Sequence, residues 1–326
     1  MKAAVHARYG PPEVVRLVDV PKPIPSEDEL LVKVHATTVN RTDSHYRAAK
    51  PFPMRFLSGL TKPRVAILGT EFAGEIETVG GAVTSFAVGD RVFGYCEGRF
   101  GAHAEYVVVP SSGRVAAIPP ALSFEEAAPG TEGSHYALAS INRARVTRDQ
   151  DVLVYGASGA IGSAAVQLLK ARGARVTAVC ATRQVELAHS LGADRVVDYT
   201  RENFASGGQR YDLILDAWGG LSYFRCTRLF KPTGIYISSG GGPLGLNLFL
   251  TLASPLFRRG RLVFAYPTID QSTVRYLADL LATGQFRPVI DRTYPFEQIV
   301  EAYHYVETGQ KVGNVVVQVV SPNDGE

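Results

Sequence analysis

The chain has 326 residues, of which 46% are hydrophobic and 20% are charged. This composition is typical of a globular protein with a substantial core, and the length favours two domains. The formal net charge of +3 is small and the charges are dispersed along the chain, so neither a nucleic acid nor an anionic membrane is expected as a partner.

Cysteine usage and apolar segments indicate the compartment. Cys96, Cys180 and Cys226 lie far apart in the sequence, and an odd number without a CxxC pair favours a reducing compartment over a disulfide framework. The first residues contain neither an apolar signal core nor an arginine-rich transit segment. The most apolar window, residues 243–257, is too short to span a bilayer and contains Pro255. We therefore expect no membrane span and a cytoplasmic location.

Residues 1–122 are rich in predicted strands. They contain short β-type runs bounded by glycine and proline, and no helical periodicity is sustained among them. Ser123 and Glu126 form a capping-box pattern that predicts a helix beginning at Phe124. The predicted strands are residues 30–36, 73–79, 91–95 and 104–109.

From residue 123 to residue 267, predicted strands and helices alternate. This pattern is typical of an α/β fold with a doubly wound parallel sheet, which binds its ligand at the carboxyl ends of the strands. The predicted strands are residues 152–155, 174–179, 195–197, 211–217, 234–238 and 262–266, and the predicted helices are residues 161–172, 184–191 and 221–229.

The tail is expected to return to the first domain. Its predicted elements are helices at residues 272–281 and 296–306, a strand near Val289 and a final strand at residues 314–320. The predicted domains are therefore residues 1–122 completed by residues 268–326, and a nucleotide-binding domain at residues 123–267.

A glycine-rich turn follows the strand at residues 152–155. Gly159 would let the backbone approach a pyrophosphate, and Gly162 would let the following helix pack closely on the strand, while the amides of the helix N-terminus face the anion. The first glycine of the usual pattern is replaced by Ala157. Between two strands at this spacing, the turn predicts dinucleotide binding. Its predicted cofactor-binding residues are Ala157, Ser158, Gly159, Ala160, Ile161 and Gly162.

The end of the next strand favours NADPH over NADH. An NAD site places an acidic residue there for the ribose 2′-hydroxyl, whereas this chain has Thr182 and Arg183, and its first acid is Glu186. A hydroxyl and a guanidinium would bind a 2′-phosphate that a carboxylate would repel. The alternative is that Arg183 is a solvated residue of the next helix.

The order of motifs along the whole chain resembles the medium-chain dehydrogenase/reductases, in the zinc-free, NADPH-dependent quinone and enone oxidoreductase branch that includes reticulon-4-interacting protein and zeta-crystallin-like quinone reductases. The resemblance implies a GroES-like β-rich catalytic domain and a Rossmann domain with a doubly wound parallel sheet. The matching segments are MKAAV at the start, Val39-Asn40 with Asp43, LGTEFAG at 68–74, VGDRV at 88–92, the glycine turn, LGAD at 191–194, VDY at 197–199, DAWGG at 216–220, RPVI at 287–290 and VGNVV at 312–316.

The same resemblance implies that no zinc is bound. Zinc-dependent members have a cysteine in place of Asn40, a histidine in place of Thr70 and a further cysteine near Gly130. A catalytic zinc needs about three protein ligands, and the four-cysteine lobe of a structural zinc is absent as well. His45 and His103 could lie near the cleft.

By resemblance, Asn40 and Asp43 lie at the floor of the cleft, and Thr131 contacts the nicotinamide. The alternative for Asn40 and Asp43 is a turn-stabilising pair. His45 and Tyr46 are the nearest candidate proton donors, with packing roles equally open. Glu132 is interpreted as a solvated helix residue, and the alternative is a general acid with a raised pKa. The predicted catalytic residues are Asn40, Asp43, His45, Tyr46 and Thr131.

Further cofactor contacts follow from strand ends and from the resemblance. Tyr199 would cover the adenosine phosphate, and the glycines after residues 234–238 would approach the nicotinamide ribose. The alternatives are a structural tyrosine and a plain flexible loop. The remaining predicted cofactor-binding residues are Ala217, Ser239, Gly240, Gly241, Lys311 and Asn314.

The substrate is expected to be a small, hydrophobic, electron-poor quinone or enone, with the apolar residues 243–257 as a wall of its pocket. In this family the strand corresponding to residues 262–266 pairs across a two-fold axis, so a homodimer is expected through this edge. An enoyl-thioester reductase is a rival enzyme, for which Arg258, Arg259 and Arg261 would provide a basic entrance. A non-catalytic NADPH-binding regulatory protein is the rival from another class.

Overall fold

The computed structural model describes residues 1–50, 52, 54–96, 98–254 and 260–320, with the backbone alone for residues 57, 244 and 248. Contacts within the chain divide it into two compact units, residues 1–132 with 269–326, and residues 133–268. The assignment of catalysis to the first unit and of nucleotide binding to the second stays a prediction.

The first unit is built mainly of antiparallel strands. Two of its strands, β1 and β2, form a separate ribbon, and among the described residues the other strands form one sheet in the order β14-β15-β3-β4-β5-β7, with β6 also paired to β3. The strands are β1 (Lys2–His6), β2 (Val15–Asp19), β3 (Glu29–Val39), β4 (Glu71–Val79), β5 (Arg91–Tyr95), β6 (Tyr106–Pro110), β7 (Val115–Ala117), β14 (Ile290–Pro295) and β15 (Asn314–Gln318), and the helices are α1 (Arg41–Ala48), α2 (Met54–Ser58), α3 (Phe124–Ala127), α8 (Gln271–Ala282) and α9 (Ile299–Glu307).

The tail belongs to the first sheet, as the sequence predicts. Val315 to Gln318 of β15 pair antiparallel with Ala36 to Val39 of β3, and helix α9 packs its buried Tyr303 and Val306 into the same core cluster as Val39. This pairing fixes the end of β3, where α1 begins. The capping box predicted at Ser123 and Glu126 is confirmed at the start of α3, with both reciprocal hydrogen bonds present.

The second unit is a parallel sheet flanked by helices. Across its described residues the strand order is β10-β9-β8-β11-β12-β13, and the α/β doubly wound fold is therefore confirmed. Helix α4 (Glu132–Ala144) begins at Glu132, where the chain leaves the first unit, and continues into the second unit. The strands are β8 (Asp151–Tyr155), β9 (Arg175–Cys180), β10 (Arg195–Asp198), β11 (Tyr211–Asp216), β12 (Phe230–Ser238) and β13 (Arg261–Leu262), and the helices are α5 (Ala160–Ala171), α6 (Val185–Ser190) and α7 (Leu246–Ala253).

Three sequence predictions are wrong in detail. Residues 1–122 contain the helices α1 and α2, although no sustained helix was expected there, because eight residues give too short a window for periodicity to show. The segment 221–229 is a 3₁₀ helix from Tyr223 to Leu229. The last strand covers only Arg261 and Leu262 instead of residues 262–266, since its pairing with β12 stops at Tyr236.

Cys96, Cys180 and Cys226 are buried free thiols. Burial raises the pKa of the Cys180 thiol to about 11, with the Asp198 carboxylate adding to the shift, so this thiol stays protonated at neutral pH. Within the described ranges, we find no helix whose length and apolar character would let it cross a membrane.

Candidate functional site

In the first unit, the site is organised by the start of helix α1. Asn40 caps the helix: its Oδ1 accepts from the Asp43 amide at 3.0 Å, and its own amide donates to Asp43 Oδ2 at 3.2 Å. Such a reciprocal cap stabilises a helix by about 1 kcal/mol. An asparagine with an acid three residues later is the sequence signal that would have revealed this helix. Asn40 and Asp43 are therefore held rigidly at the junction of β3 and α1.

Asp43 is fully buried and joins a second set of partners. Its Oδ1 accepts from the Gly69 amide at 3.1 Å, and His103 Nε2 lies 3.8 Å from its Oδ2. The His103 ring lies between the Thr38 carbonyl, 2.8 Å from Nε2, and the Tyr303 hydroxyl, 3.2 Å from Nδ1. Burial lowers the pKa of His103 to about 4, so the ring is neutral. We assign its proton to Nε2, because that nitrogen faces a carbonyl.

Glu71, the first residue of β4, is fully buried and caps helix α4. Its Oε1 accepts from the Thr131 amide at 3.0 Å, the Thr131 hydroxyl at 2.8 Å and the Glu132 amide at 2.6 Å, and its Oε2 accepts from the Thr38 hydroxyl at 2.7 Å. A carboxylate at a helix N-terminus is stabilised by the amides and the helix dipole. Thr131 is buried as well, and its hydroxyl and amide both bond to Glu71.

Glu132 is the functional candidate that the sequence analysis underrated. The interpretation of Glu132 as a solvated helix residue is wrong, since the exposed fraction of this residue is only 8%. It is buried because α4 begins directly beside Glu71. The Thr70 hydroxyl donates to Glu132 Oε2 at 2.8 Å, and the Thr42 hydroxyl lies 2.7 Å from Oε1. Burial, followed by the charges of Glu71 and Asp43, raises the pKa of Glu132 well above its ordinary value.

Asn40 and Thr70 stand where, by the resemblance, zinc-dependent members have zinc ligands, and in this chain they form a series of hydrogen bonds with Glu132. Asn40 Nδ2 donates to Thr70 Oγ1 at 2.7 Å, and that hydroxyl donates onward to Glu132. Among the residues that the structure describes, no group of three or more His, Cys, Asp or Glu side chains is placed to hold a metal ion. The side-chain amide of Asn40 and the hydroxyl of Thr70 are thus hydrogen-bonded to each other.

Lys311 precedes strand β15 in the first unit, and Asn314 is the first residue of that strand. Lys311 is half-buried and donates from Nζ to the Gly313 carbonyl, while Asn314 Nδ2 donates to the Val289 carbonyl at 3.0 Å. Burial and the positive charge of Arg41 lower the pKa of Lys311 to about 8, against the opposing charges of Glu132 and Glu71. Lys311 is therefore part of the electrostatic surroundings of the two glutamates.

The predicted proton donors His45 and Tyr46 lie further along α1. His45 is exposed and Tyr46 is half-buried, with its ring centroid 4.6 Å from that of Phe100. Both side chains are therefore in contact with solvent, and their catalytic roles stay predictions.

In the second unit, the glycine turn joins β8 to α5 as the sequence predicts. Gly156 has φ of 77°, a left-handed conformation that favours glycine. A Cβ on Gly162 would lie 2.1 Å from the Gly156 carbonyl oxygen, so only glycine allows this approach. Gly159 is the N-cap of α5 and has no side chain with which to cap it, which leaves the first-turn amides available to an anion.

The position of the turn in the sheet also suits a nucleotide. Strand β8 lies between β9 and β11, where the strand order reverses, and ligands of doubly wound sheets bind at the carboxyl ends of strands at this point. The residues present therefore fit the pyrophosphate of a dinucleotide. Ala157, Ser158, Ala160 and Ile161 are all part of this turn or of the first turn of α5.

An acidic residue that the sequence analysis did not weigh lies beside Thr182. The Thr182 hydroxyl donates to Asp198 Oδ2 at 2.6 Å and lies 2.9 Å from the Thr200 hydroxyl. Asp198 ends the neighbouring strand β10, so spacing from the glycines did not reveal it. Arg183 is exposed, and the side chain of Tyr199 is 51% exposed. A carboxylate and a guanidinium therefore both lie near the expected ribose position.

The loops after β11 and β12 contact each other and contain four of the predicted cofactor residues. Ser239 Oγ donates to the Ala217 carbonyl at 3.0 Å, and a Cβ on Gly240 would lie 2.6 Å from the Gly219 carbonyl oxygen. Gly241 follows directly and accepts from the Asn247 amide at 2.8 Å. Close contact between these loops thus explains a glycine there without reference to a ligand.

The apolar segment and the sheet edge are only partly described. Phe249 and Leu252 of α7 are 71% and 84% exposed. The structure does not describe the side chains of Leu244 and Leu248. Four further residues lie entirely outside the described part of the chain: Leu256, Phe257, Arg258 and Arg259. Strand β13 is the last strand of the six-strand order, so its outer edge is unpaired within the described unit.

Comparison with known proteins gives full-length relatives. Residues 26–120 match the alcohol dehydrogenase GroES-like domain and residues 191–317 match the zinc-binding dehydrogenase family. The chain is 31% identical to the chloroplastic NADPH-dependent alkenal/one oxidoreductase of Arabidopsis thaliana over 97% of this chain and 79% of that protein. It is 30% identical to the mitochondrial NAD(P)H oxidoreductase RTN4IP1 of Mus musculus over 98% and 89%.

A solved structure agrees with these relatives. The quinone oxidoreductase from Coxiella burnetii is 27% identical and superposes with a TM-score of 0.88, covering 98% of this chain and 99% of that one. The similarity to known oxidoreductases thus extends over nearly the whole chain. The chain belongs to the medium-chain dehydrogenase/reductase superfamily, in which it is related to the quinone and alkenal/one oxidoreductases.

Proposed function

We propose that the protein is a zinc-independent, NADPH-dependent oxidoreductase that transfers hydride to a quinone or an α,β-unsaturated carbonyl. The observation that carries this proposal is the glycine turn between β8 and α5, with its uncapped helix N-terminus, in a chain of this superfamily. The names of relatives support the acceptor class, since they include an NADPH-dependent alkenal/one oxidoreductase and a quinone oxidoreductase.

The cofactor would be held mainly by backbone. The turn amides would bind the pyrophosphate, Arg183 would bind the 2′-phosphate, and the loops that contain Ala217 and residues 239–241 would lie along the nicotinamide half. When bound, NADPH supplies the hydride. Asp198 opposes a 2′-phosphate, so Arg183 has to outweigh it for NADPH to be preferred over NADH.

The reaction would proceed without zinc because the side chains at the ligand positions are poor zinc ligands. Asn40 and Thr70 offer an amide and a hydroxyl that already bond to each other, whereas zinc prefers thiolate, imidazole and carboxylate. Electron-poor acceptors take up hydride without a Lewis acid more readily than simple carbonyls do. We propose positioning roles for Asn40, Asp43 and Thr131, whose side chains bond within the unit.

Two further parts of the proposal concern assembly and domains. The outer edge of β13 would pair with a second copy of the chain, which closes an unpaired edge. Catalytic residues would come from the first unit, residues 1–132 with 269–326, and the nucleotide would bind mainly to the second unit, residues 133–268.

The test is oxidation of NADPH and NADH by the purified protein with a small quinone, an α,β-unsaturated ketone and an enoyl thioester. We expect turnover that prefers NADPH and is faster with the quinone or the ketone. A preference for the enoyl thioester would favour the rival reductase. If NADPH raises the melting temperature but no acceptor is reduced, the catalytic proposal is wrong and the protein is a nucleotide-binding protein.

A further inference from the structure

Two carboxyl groups that belong to neighbouring chain segments are buried together in the first unit. Glu71 is fully buried, Glu132 is 8% exposed, and the Glu132 amide donates to Glu71 Oε1 at 2.6 Å. The charge of Glu71 raises the pKa of Glu132, and two carboxylates that interact in a water-poor site cannot both be ionised without a large electrostatic cost. One of them is therefore expected to hold a proton at neutral pH.

The hydrogen-bond donors decide which carboxyl is neutral. Glu71 accepts two backbone amides, from Thr131 and Glu132, which can only donate, together with two hydroxyls. Among the residues that the structure describes, the side chain of Glu132 is bonded to two hydroxyls alone, from Thr42 and Thr70, and a hydroxyl can accept as well as donate. Glu71 is thus the carboxylate, and Glu132 is the carboxylic acid.

The other hydrogen bonds of the two hydroxyls decide which of them accepts a proton from Glu132, since a hydroxyl has one proton to donate and Asn40 Nδ2 cannot accept it. Thr70 Oγ1 already accepts from Asn40 Nδ2 at 2.7 Å and donates to Glu132 Oε2, so it holds Oε2 as an acceptor. Thr42 Oγ1 lies 2.7 Å from Oε1 and is half-buried at the start of α1. The acid proton of Glu132 therefore lies on Oε1 and points to a hydroxyl that reaches solvent.

The surrounding charges favour the protonated acid at neutral pH. Glu71 on β4 and Asp43 on α1 both raise the pKa of Glu132, after burial itself. The opposing cation is Lys311, before β15, whose own pKa is lowered to about 8 by burial and by Arg41. Lys311 is thus only a partly populated counter-charge at mildly alkaline pH.

We propose that Glu132 is the proton reservoir of the reaction and delivers its proton through the Thr42 hydroxyl, with Glu71 as the positioning residue that keeps Glu132 neutral. This inference rests on the proposed function. Hydride addition would leave an enolate or a hydroquinone anion and an oxidised nicotinamide. The anion would take the Thr42 hydroxyl proton, Thr42 would take the Glu132 proton, and water would later reprotonate the Glu132 carboxylate.

The protonation state can be measured without turnover. The infrared difference spectrum between wild-type protein and Glu132→Gln should contain the carbonyl band of a protonated carboxylic acid at neutral pH. The band should disappear as the pH rises, and it should do so at lower pH in Glu71→Gln, which removes the neighbouring charge. A missing band at neutral pH would overturn the proposal whether or not the enzyme reduces quinones.

Kinetics test the delivery of the proton. Glu132→Gln, which preserves both hydrogen bonds, should lower kcat by about 100-fold and abolish the alkaline loss of activity that is expected in the wild type. Thr42→Val should have a similar effect, and Thr42→Ser should rescue it. Glu126→Gln, in the exposed capping box of α3, is the matched control and should keep wild-type activity.

The kinetic outcomes separate the two proposals. An unchanged pH profile in Glu132→Gln would overturn proton delivery even if the infrared band is present. A wild-type protein that reduces no acceptor would refute the proposed function, and with it delivery, while the infrared band would still report the protonated acid.

Discussion

The two candidate sites differ in composition: one is formed mainly by backbone groups and the other mainly by side chains. In the second unit, the glycine turn presents backbone amides from consecutive residues, and its geometry follows from the left-handed conformation of Gly156 and the absence of a side chain at Gly162. In the first unit, the site is a set of buried residues from three separate segments, joined by hydrogen bonds between Asn40, Thr70 and the two glutamates. The first kind of site depends on local conformation, and the second depends on tertiary packing.

The two sites should therefore fail in different ways. A change in the side-chain network should leave buried polar groups unpaired, which is costly. A change in the turn should cause a steric clash or a loss of ligand contacts. Four predictions follow this contrast, in order of decreasing expected effect.

The largest effect is expected from Glu71→Ala. This change leaves the buried amides of Thr131 and Glu132 without an acceptor and should lower the free energy of unfolding by on the order of 4 kcal/mol, measured by urea denaturation. Glu71→Gln is the matched control, because its amide oxygen can face both N–H groups and its NH₂ can donate to Thr38. Equal losses in the two variants would contradict the network account.

His103 gives a pH dependence of stability. Its pKa is lowered from 6.5 to about 4 by burial, so between these values the unfolded chain binds a proton that the folded chain does not. The contribution of the neutral His103 ring to the free energy of unfolding should be fully present above pH 6.5. The free energy of unfolding should fall by on the order of 3 kcal/mol as the pH is lowered to 4. Denaturant titrations at several pH values should show a smaller fall in His103→Gln. An equal fall would show that other groups cause it.

In the turn, Gly162→Ala should lower the free energy of unfolding by about 2 kcal/mol, because the added Cβ would lie 2.1 Å from the Gly156 carbonyl oxygen. Gly159→Ala is the control, since its Cβ would have only that oxygen nearby, at 3.7 Å. The control should melt at the wild-type temperature and bind NADPH more weakly. Equal melting temperatures of Gly162→Ala and the wild type would refute the packing role.

The smallest effect concerns cofactor preference. Arg183→Ala should weaken NADPH binding about tenfold, or about 1.4 kcal/mol, and leave NADH binding unchanged. Asp198→Asn should strengthen NADPH binding, because it removes a carboxylate near the expected 2′-phosphate. Isothermal titration calorimetry with both nucleotides measures this. An equal effect of Arg183→Ala on both nucleotides would assign the 2′-phosphate to other residues.

The extent to which the sequence predicted the molecule follows the same contrast. The parallel sheet and the glycine turn were predictable because strand runs, turns and glycine spacing are local signals. The return of β15 to β3 followed from chain order. The N-cap of α1 has a signal that was overlooked, an asparagine with an acid three residues on.

The side-chain network could not be read in this way. Glu71 and Glu132 are 61 residues apart, and nothing in either local sequence shows that both are buried together. Asp198 was overlooked for a similar reason, because it approaches Thr182 from the neighbouring strand rather than from its own. The short β13 depends on how far β12 offers a partner, which no local pattern encodes.

The most direct test of the account is turnover by protein from which metals have been removed with a chelator and whose metal content has been measured. The account predicts that this protein oxidises NADPH with a quinone or an α,β-unsaturated ketone at the rate of the untreated protein, and that added zinc does not raise the rate. Loss of activity on metal removal, with recovery on addition of zinc, would contradict the proposal that the reaction proceeds without zinc.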